Sequence, residues 1–154
     1  MIISIIFVIL LIVSSIYDLR TMYIPIWIVS GSILISIYVA IINVLEKMTP
    51  ISYYSLTIFL TIIILIVSVL FRILKLEAIG FGDGLVMISI NLFFGGERAI
   101  VIFCISFLIS GIVSGVLMMI KRANRKTRIP FVPFLAAGTL IQLISIHMGE
   151  MKII

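Results

Sequence analysis

Charged residues divide this chain into long apolar stretches, and that division constrains its fold more than any other feature. The charge-free intervals are 1–17, 21–45, 48–71, 84–96, 99–120 and 129–149. A helix that crosses a bilayer needs about 20 apolar residues, within a range of about 17–25. Five of the intervals are long enough to cross, and only 84–96 is short. The pattern predicts an all-α membrane protein.

The composition excludes most other classes of protein. Of the 154 residues, 64% are hydrophobic and 11% are charged, whereas a soluble domain is about half apolar and about one quarter charged. A disordered chain and a nucleic-acid binder are therefore excluded, and we expect one transmembrane domain over residues 1–154. The single cysteine, Cys104, cannot form an internal disulfide. With one histidine it cannot complete a four-ligand zinc site, so no metal is expected.

The positive charges predict the orientation of the chain. If all six intervals cross, eight of the 11 Lys and Arg residues fall in the odd-numbered loops, five of them between Lys121 and Arg128. Because positively charged loops stay in the cytoplasm, we expect a six-helix bundle with both termini outside, surrounded by membrane lipid. If 84–96 did not cross, the positive charge would be split between the two faces of the membrane.

The short interval 84–96 predicts a recess in this bundle. As a helix its 13 residues would cover about 20 Å, against about 30 Å of hydrocarbon. Irregular backbone is tolerated at membrane depth only where protein buries it or water reaches it. We therefore expect this helix to begin below the cytoplasmic surface, in a notch that is open to water.

Two further patterns concern how helices pack and begin. The spacing Gly111-x-x-x-Gly115 predicts a helix face that packs closely against a neighbour. Ile24-Pro25 and Ile129-Pro130 each place a proline where a helix enters the membrane, a position at which the missing N–H costs no helical hydrogen bond.

Two of the six acidic residues are candidates for chemistry. Asp18 ends the first apolar interval, where the helix macrodipole disfavours an acid, and Asp83 opens the fourth, where an N-cap role would explain it. For either one alone, a helix-end carboxylate at the water boundary is a sufficient explanation. Together they share a membrane face, and two close carboxyl groups can act as acid and base in peptide hydrolysis. The glycines around Asp83 would let an extended backbone approach.

Three stretches resemble the motifs of type IV prepilin peptidases. Asp-Leu-Arg-Thr-Met-Tyr-Ile-Pro at 18–25 is similar to the first motif, an aspartate, a basic residue two positions later and then Ile-Pro. Gly-Phe-Gly-Asp at 80–83 resembles the Gly-x-Gly-Asp motif. The stretch 128–138 is similar to the C-terminal Ile-Pro-Phe-x-Pro-Phe segment. The three stretches occur in the family's order and extend over most of the chain.

The resemblance implies an aspartyl endopeptidase of the plasma membrane that uses no cofactor. Asp18 and Asp83 would be the catalytic pair, acting from the cytoplasmic face, and Gly80, Gly82 and Arg20 would shape the site. The implied substrates are type IV prepilins and pilin-like (pseudopilin) secretion subunits, from which such enzymes cut a short basic leader. The resemblance says nothing about oligomeric state.

The sequence departs from the family pattern at two positions. Leu85 stands where many members have a lysine two residues after the second aspartate, and Val132 replaces a common glycine. Bifunctional members also carry an N-terminal region with paired CxxC motifs and a methyltransferase activity. Because this sequence has one cysteine and opens on the first peptidase span, we expect a peptidase-only form.

Two other functions remain open at this point. A transport protein could use the two aspartates as a proton or cation relay, with Ser14, Asn91 and Gln142 as further polar positions. Scattered polar residues in membrane helices also form interhelical hydrogen bonds, which is a structural explanation for the same three. A scaffold subunit of a secretion complex would need neither aspartate.

Overall fold

The computed structural model describes residues 2–45, 51–74, 80–121 and 129–151, and these residues form helices and short connections. In chain order the helices are α1 (Ile2–Thr21), α2 (Ile26–Leu45), α3 (Ile51–Ile73), α4 (Phe81–Phe94), α5 (Gly96–Met119) and α6 (Val132–Met151). The prediction of an all-α fold with six helices is confirmed for this part of the chain. Residues 122–128, which include most of the predicted basic loop, lie outside the described ranges.

The helices differ in their ability to cross a membrane. Helices α1, α2, α3 and α5 are long and apolar enough to do so, whereas the apolar segments Phe81–Phe94 and Val132–Ile146 are shorter. Large apolar side chains also cover the outer surface, and Leu34, Ile62 and Leu108 are each more than half exposed. Such a surface fits lipid and not water. Six crossings and outside termini stay predictions.

Helix α4 differs from the prediction at both ends. It begins at Phe81, so Asp83 lies inside its first turn instead of before it. A negative charge is favoured in the first turn of a helix, so the charge of Asp83 does not mark the start of α4. A single residue, Gly95, joins α4 to α5, and its φ of 81° is a conformation that glycine adopts without strain. With 14 residues, α4 is short, as expected.

Helix α4 is the centre of the bundle. It packs against α2, α3, α5 and α6, while α1 packs against α2 and α6. Residues on several sides of α4 are therefore buried, including Val86, Ile90 and Asn91. Near one end of the bundle, the ring of Phe7 in α1 stacks on Phe93 in α4, with centroids 4.1 Å apart.

Helices approach most closely at glycines that the sequence analysis did not connect with packing. A β-carbon at Gly96 would lie 3.0 Å from a backbone nitrogen of α3, and one at Gly138 would lie 2.9 Å from the Ile102 carbonyl oxygen. Within the described chain no neighbouring atom lies within 4 Å of a β-carbon built at Gly111 or Gly115. The close packing predicted for Gly111-x-x-x-Gly115 is therefore not made with any described residue of this chain, since that spacing does not say which face of α5 meets a neighbour.

Prolines mark the beginnings of two helices. Pro25 immediately precedes α2, and its carbonyl oxygen accepts the N–H groups of Ile28 and Val29. At α6, Pro130 lies just outside the helix and Pro133 lies in its first turn. The missing N–H groups therefore fall where no helical hydrogen bond is lost.

Candidate active site

Asp18 lies in the last turn of α1 and is buried, with 5% of its surface exposed. The C-terminal end of its own helix disfavours an acid because the macrodipole is negative there. A second helix supplies a compensating group: the backbone N–H of Val132, at the start of α6, donates to Asp18 Oδ2 over 3.0 Å. The Asp18 carboxyl group therefore meets the positive end of α6.

The turn after Asp18 fixes the direction in which the chain leaves α1. The Asp18 carbonyl oxygen accepts the Met22 N–H over 2.9 Å, and Met22 has a φ of 52°, which is uncommon for a residue with such a side chain. The Thr21 hydroxyl bonds to the Tyr17 carbonyl oxygen and accepts the Tyr23 N–H over 3.3 Å. These bonds direct the chain from Asp18 toward α2.

Asp83 is partly buried in the first turn of α4. Gly80 occupies the N-cap position, and its backbone N–H donates to Asp83 Oδ2 over 3.2 Å. The suggestion that Asp83 is itself an N-cap is therefore wrong. As the third residue of the helix, Asp83 accepts a hydrogen bond from the N–H of the cap residue. Its negative charge is also favourable at this position.

The two aspartates come together at one end of the bundle. Phe7 contacts Phe93 near the opposite end. Asp18 follows Phe7 by 11 residues in α1, and Asp83 precedes Phe93 by 10 residues in α4, so each helix rises about 15 Å from that contact to its aspartate. The charge of Asp18 acts on Asp83, although no hydrogen bond joins these two described side chains. The two carboxyl groups therefore lie within electrostatic range of each other.

The first two sequence motifs pack on each other at Gly82. A β-carbon there would lie 3.2 Å from Ile24 Cδ1, whereas one at Gly80 would lie 3.1 Å from Asp83 Oδ2. The space beside Gly82, which we expected to admit a substrate backbone, is thus occupied by Ile24. Gly80 keeps a side chain away from the Asp83 carboxyl group. The site-shaping role of both glycines stays a prediction.

Arg20 and Leu85 lie next to the aspartates in sequence but face different surroundings. Arg20 is exposed in the last turn of α1. Leu85 packs against the hydrophobic core. The role predicted for Arg20 stays a prediction, and no cation stands at the position where the family often has lysine.

Helix α3 contributes two contacts at this end that the sequence analysis missed. The Ser68 side chain occupies the space beside Gly84, where a β-carbon would collide with it. The Arg72 guanidinium lies 5.0 Å above the centre of the Phe81 ring, a cation–π contact. Both contacts tie the end of α3 to the start of α4, and no spacing in the sequence indicates either pairing.

The polar residues considered for a relay bond to separate places in the bundle. Ser14 donates to a carbonyl group of its own helix over 2.9 Å. Asn91 Nδ2 donates to the Thr57 carbonyl oxygen and to Thr61 Oγ1, both over 2.8 Å, and so joins α4 to α3. Gln142 lies partly buried on α6. An interhelical hydrogen bond, the structural explanation, therefore accounts for Asn91.

Two cavities of the bundle lie away from the aspartates. Two adjoining cavities of about 230 and 190 Å³ share Asn43 and Phe93 as lining residues, at the end opposite the aspartates. The aspartate end is instead open at its edge, where Gly80 is exposed. Within the described residues no three His, Cys, Asp or Glu side chains are grouped to hold a metal ion. The chemistry available at this end is that of two interacting carboxyl groups, which can divide the roles of acid and base.

A comparison with protein families identifies the class to which this site belongs. The model of the type IV leader peptidase family matches residues 5–115, a stretch that contains both aspartates. The chain belongs to the type IV leader peptidase family. Neither a curated protein nor a solved structure matches it. Membership confirms the family that the motifs indicated and implies that this leader peptidase homologue is a protease. The C-terminal stretch 128–138 lies beyond the matched region.

Proposed function

We propose that this chain is an aspartyl endopeptidase of the plasma membrane that removes the basic leader from type IV prepilins or pilin-like subunits. Asp18 and Asp83 are the catalytic residues in this proposal, and they act at the cytoplasmic face. Membership of the leader peptidase family supports the reaction class and the class of substrate. Two carboxyl groups are sufficient for the reaction without a cofactor.

The observation that carries this proposal is the meeting of Asp18 and Asp83 in an otherwise apolar bundle. The charge of one acts on the other, and ionisable residues in membrane segments are costly and mark functional positions. Each carboxyl group accepts a backbone N–H from the beginning of a helix, Val132 for Asp18 and Gly80 for Asp83. Backbone donors orient a carboxyl group more rigidly than long side chains do.

Peptide hydrolysis follows if one carboxyl group is ionised while the other holds a proton. The carboxylate accepts a proton from water as the water oxygen bonds to the scissile carbonyl carbon, and the other carboxyl group protonates the carbonyl oxygen. In the second step the first carboxyl group gives its proton to the amide nitrogen as the C–N bond breaks. The second carboxylate recovers a proton from a hydroxyl group of the intermediate, so both groups return to their starting states.

The length of α4 supports a site that water can reach. Its 14 residues rise about 21 Å, less than the roughly 30 Å of hydrocarbon. A helix that reaches one surface at Phe94 therefore begins below the other surface, at the end that carries Asp83. The distribution of Lys and Arg supports a cytoplasmic location for this end. A basic leader is held on the same side by the same rule, so its junction with the hydrophobic helix lies near the aspartates.

Cleavage by purified protein in lipid tests the proposal. The substrates are prepilins that contain a basic leader, a glycine and a hydrophobic helix, and mass spectrometry identifies the new N-terminus. Asp18→Asn and Asp83→Asn are compared with Glu97→Gln, a matched loss of an acid at the opposite end of the bundle. We expect cleavage between leader and helix by the wild type and by Glu97→Gln, and none by the two aspartate variants.

Two results would contradict the proposal in different ways. A folded Asp83→Asn or Asp18→Asn variant that still cuts would exclude the pair as the catalytic groups. A folded wild-type protein that cuts none of the prepilins would exclude this class of substrate. Circular dichroism of each purified variant establishes that the helices are intact before cleavage is compared.

A further inference from the structure

The beginning of α6 contains few backbone N–H groups that can bind a partner. Pro130 and Pro133 have none, and the N–H groups of Phe134 and Leu135 both donate to the Phe131 carbonyl oxygen. Between the two prolines only the N–H groups of Phe131 and Val132 remain free of the helix. The first turn of a helix always leaves such donors without an intrahelical partner.

One of these two N–H groups is directed at Asp18. The Val132 N–H donates to Asp18 Oδ2 over 3.0 Å. Val132 is fully buried and Asp18 almost so, which means that water does not compete freely for either partner. A displaced Asp18 would leave a buried donor unsatisfied.

The segment that presents these donors is itself held in place by α5. The Phe131 ring packs against Phe107, with centroids 4.9 Å apart. Further along α6, Gly138 allows the helix to approach the Ile102 carbonyl group so closely that a β-carbon would lie 2.9 Å away. The fully buried Leu135 adds to this packing. The start of α6 is therefore held by α5 as well as by its packing against α1.

We propose that the backbone N–H of Val132 is a positioning group, which holds the Asp18 carboxyl group in the orientation that the reaction needs. This inference rests on the proposed function and adds to it a role for α6, which contributes no acid of its own among the described side chains. The prolines on either side leave two adjacent donors and no competing one. The contact is made by backbone, so it does not depend on which side chain stands at residue 132.

A substitution that removes only the N–H tests this role through kinetics. Proline is tolerated at the first position of a helix, so Val132→Pro is compared with Val132→Ala, which keeps the donor. Replacing Val132 by its α-hydroxy acid exchanges the N–H for an ester oxygen and adds no atoms. We expect the kcat of Val132→Pro and of the α-hydroxy acid variant to be about tenfold or more below that of Val132→Ala, with KM nearly unchanged. Ile26→Pro, at the exposed first position of α2, is the matched proline control and keeps the wild-type kcat.

A second measurement does not depend on activity. The thermal midpoint of Val132→Pro is compared with that of Val132→Ala in the wild-type background and again in the Asp18→Ala background. If the N–H acts through Asp18, the stability advantage of Val132→Ala over Val132→Pro shrinks or reverses when the carboxyl group is absent. An unchanged difference, or a Val132→Pro variant whose kcat equals that of Val132→Ala, would overturn the proposal. If the wild type cleaves no prepilin, the proposed function fails. The comparison of thermal midpoints in the two backgrounds still decides whether the contact holds Asp18.

Discussion

The side chain of Ser68 in α3 fills the place where Gly84 in α4 would carry a β-carbon. Such a carbon would lie 2.9 Å from Ser68 Cβ and closer still to the hydroxyl oxygen, which bonds to the Ile64 carbonyl oxygen over 2.7 Å. Gly84 directly follows Asp83, so this contact sets the separation between α3 and the helix that bears Asp83. The position of Asp83 therefore depends on a helix that supplies neither aspartate.

Alanine at residue 84 is expected to destabilise the bundle. Overpacking of a tight contact costs about 1–3 kcal/mol, so Gly84→Ala lowers the midpoint of thermal unfolding in detergent or nanodiscs. Removing the opposing side chain with Ser68→Gly should recover part of this loss. The double variant should lose less free energy of unfolding than the two single variants lose in sum. Simple addition of the two effects would show that the residues do not press on each other.

Gly111→Ala is the matched control for that experiment. No neighbouring atom lies within 4 Å of a β-carbon at Gly111 in the described chain, and alanine is favoured over glycine in a helix by about 1 kcal/mol. The free energy of unfolding should therefore stay the same or increase. A loss as large as that of Gly84→Ala would contradict the packing of α5 described above.

The conformation of Met22 predicts a stabilising glycine. Its φ of 52° costs a residue with a β-carbon roughly 1 kcal/mol, and its side chain is mostly exposed, so little packing is lost. Met22→Gly should raise the free energy of unfolding by about 0.5–1 kcal/mol, whereas Met22→Val should lower it because a branched side chain is strained further. Equal stability of the two variants, measured by thermal unfolding, would contradict the left-handed conformation.

Asn91 should prove structural and not part of a relay. It is fully buried, and it donates to Thr57 and Thr61 in α3. Asn91→Leu, which removes both bonds at similar volume, should cost about 1–2 kcal/mol of stability and leave cleavage dependent on the aspartates. In proteoliposomes with an internal pH indicator, any proton flux should be the same for the wild type, Asp18→Asn and Asn91→Leu. A proton flux that is present in the wild type and lost in either variant would favour the transport alternative.

The contact between Ile24 and Gly82 links the first two motifs and predicts a compensating pair. Gly82→Ala places a β-carbon 3.2 Å from Ile24 Cδ1, which disturbs the start of α4 next to Asp83. Cleavage should fall, and Ile24→Val, which deletes that methyl group, should restore most of it in the double variant. No recovery would mean that Gly82 acts on the substrate and not through Ile24.

The helices could be predicted from the sequence because burial in lipid demands long apolar runs, and charge interrupts those runs. The start of α4 could not be placed the same way. The charge of Asp83 predicts a helix boundary, yet an acid in a first turn is stabilised by the helix. The spacing Gly111-x-x-x-Gly115 failed for a different reason. Small residues allow a close approach but do not provide the neighbour.

The aspartates could be proposed from the sequence, but their surroundings could not. The donor to Asp18 lies 114 residues away in the chain and is a backbone N–H, a group that every residue except proline carries. It therefore leaves no signature at residue 132. The contacts of Gly84 with Ser68 and of Arg72 with Phe81 likewise follow from which helices are neighbours, and periodicity within one helix does not determine that.

In the proposed reaction Asp18 and Asp83 work as one unit, which can be tested by single-turnover cleavage with the two single variants and the double variant. Residues that act together lose their contribution together, so each of Asp18→Asn and Asp83→Asn should slow cleavage by about 10³-fold or more. The double variant should then be no slower than the slower single variant. Losses that multiply in the double variant, or a single variant that cleaves at the wild-type rate, would contradict the account.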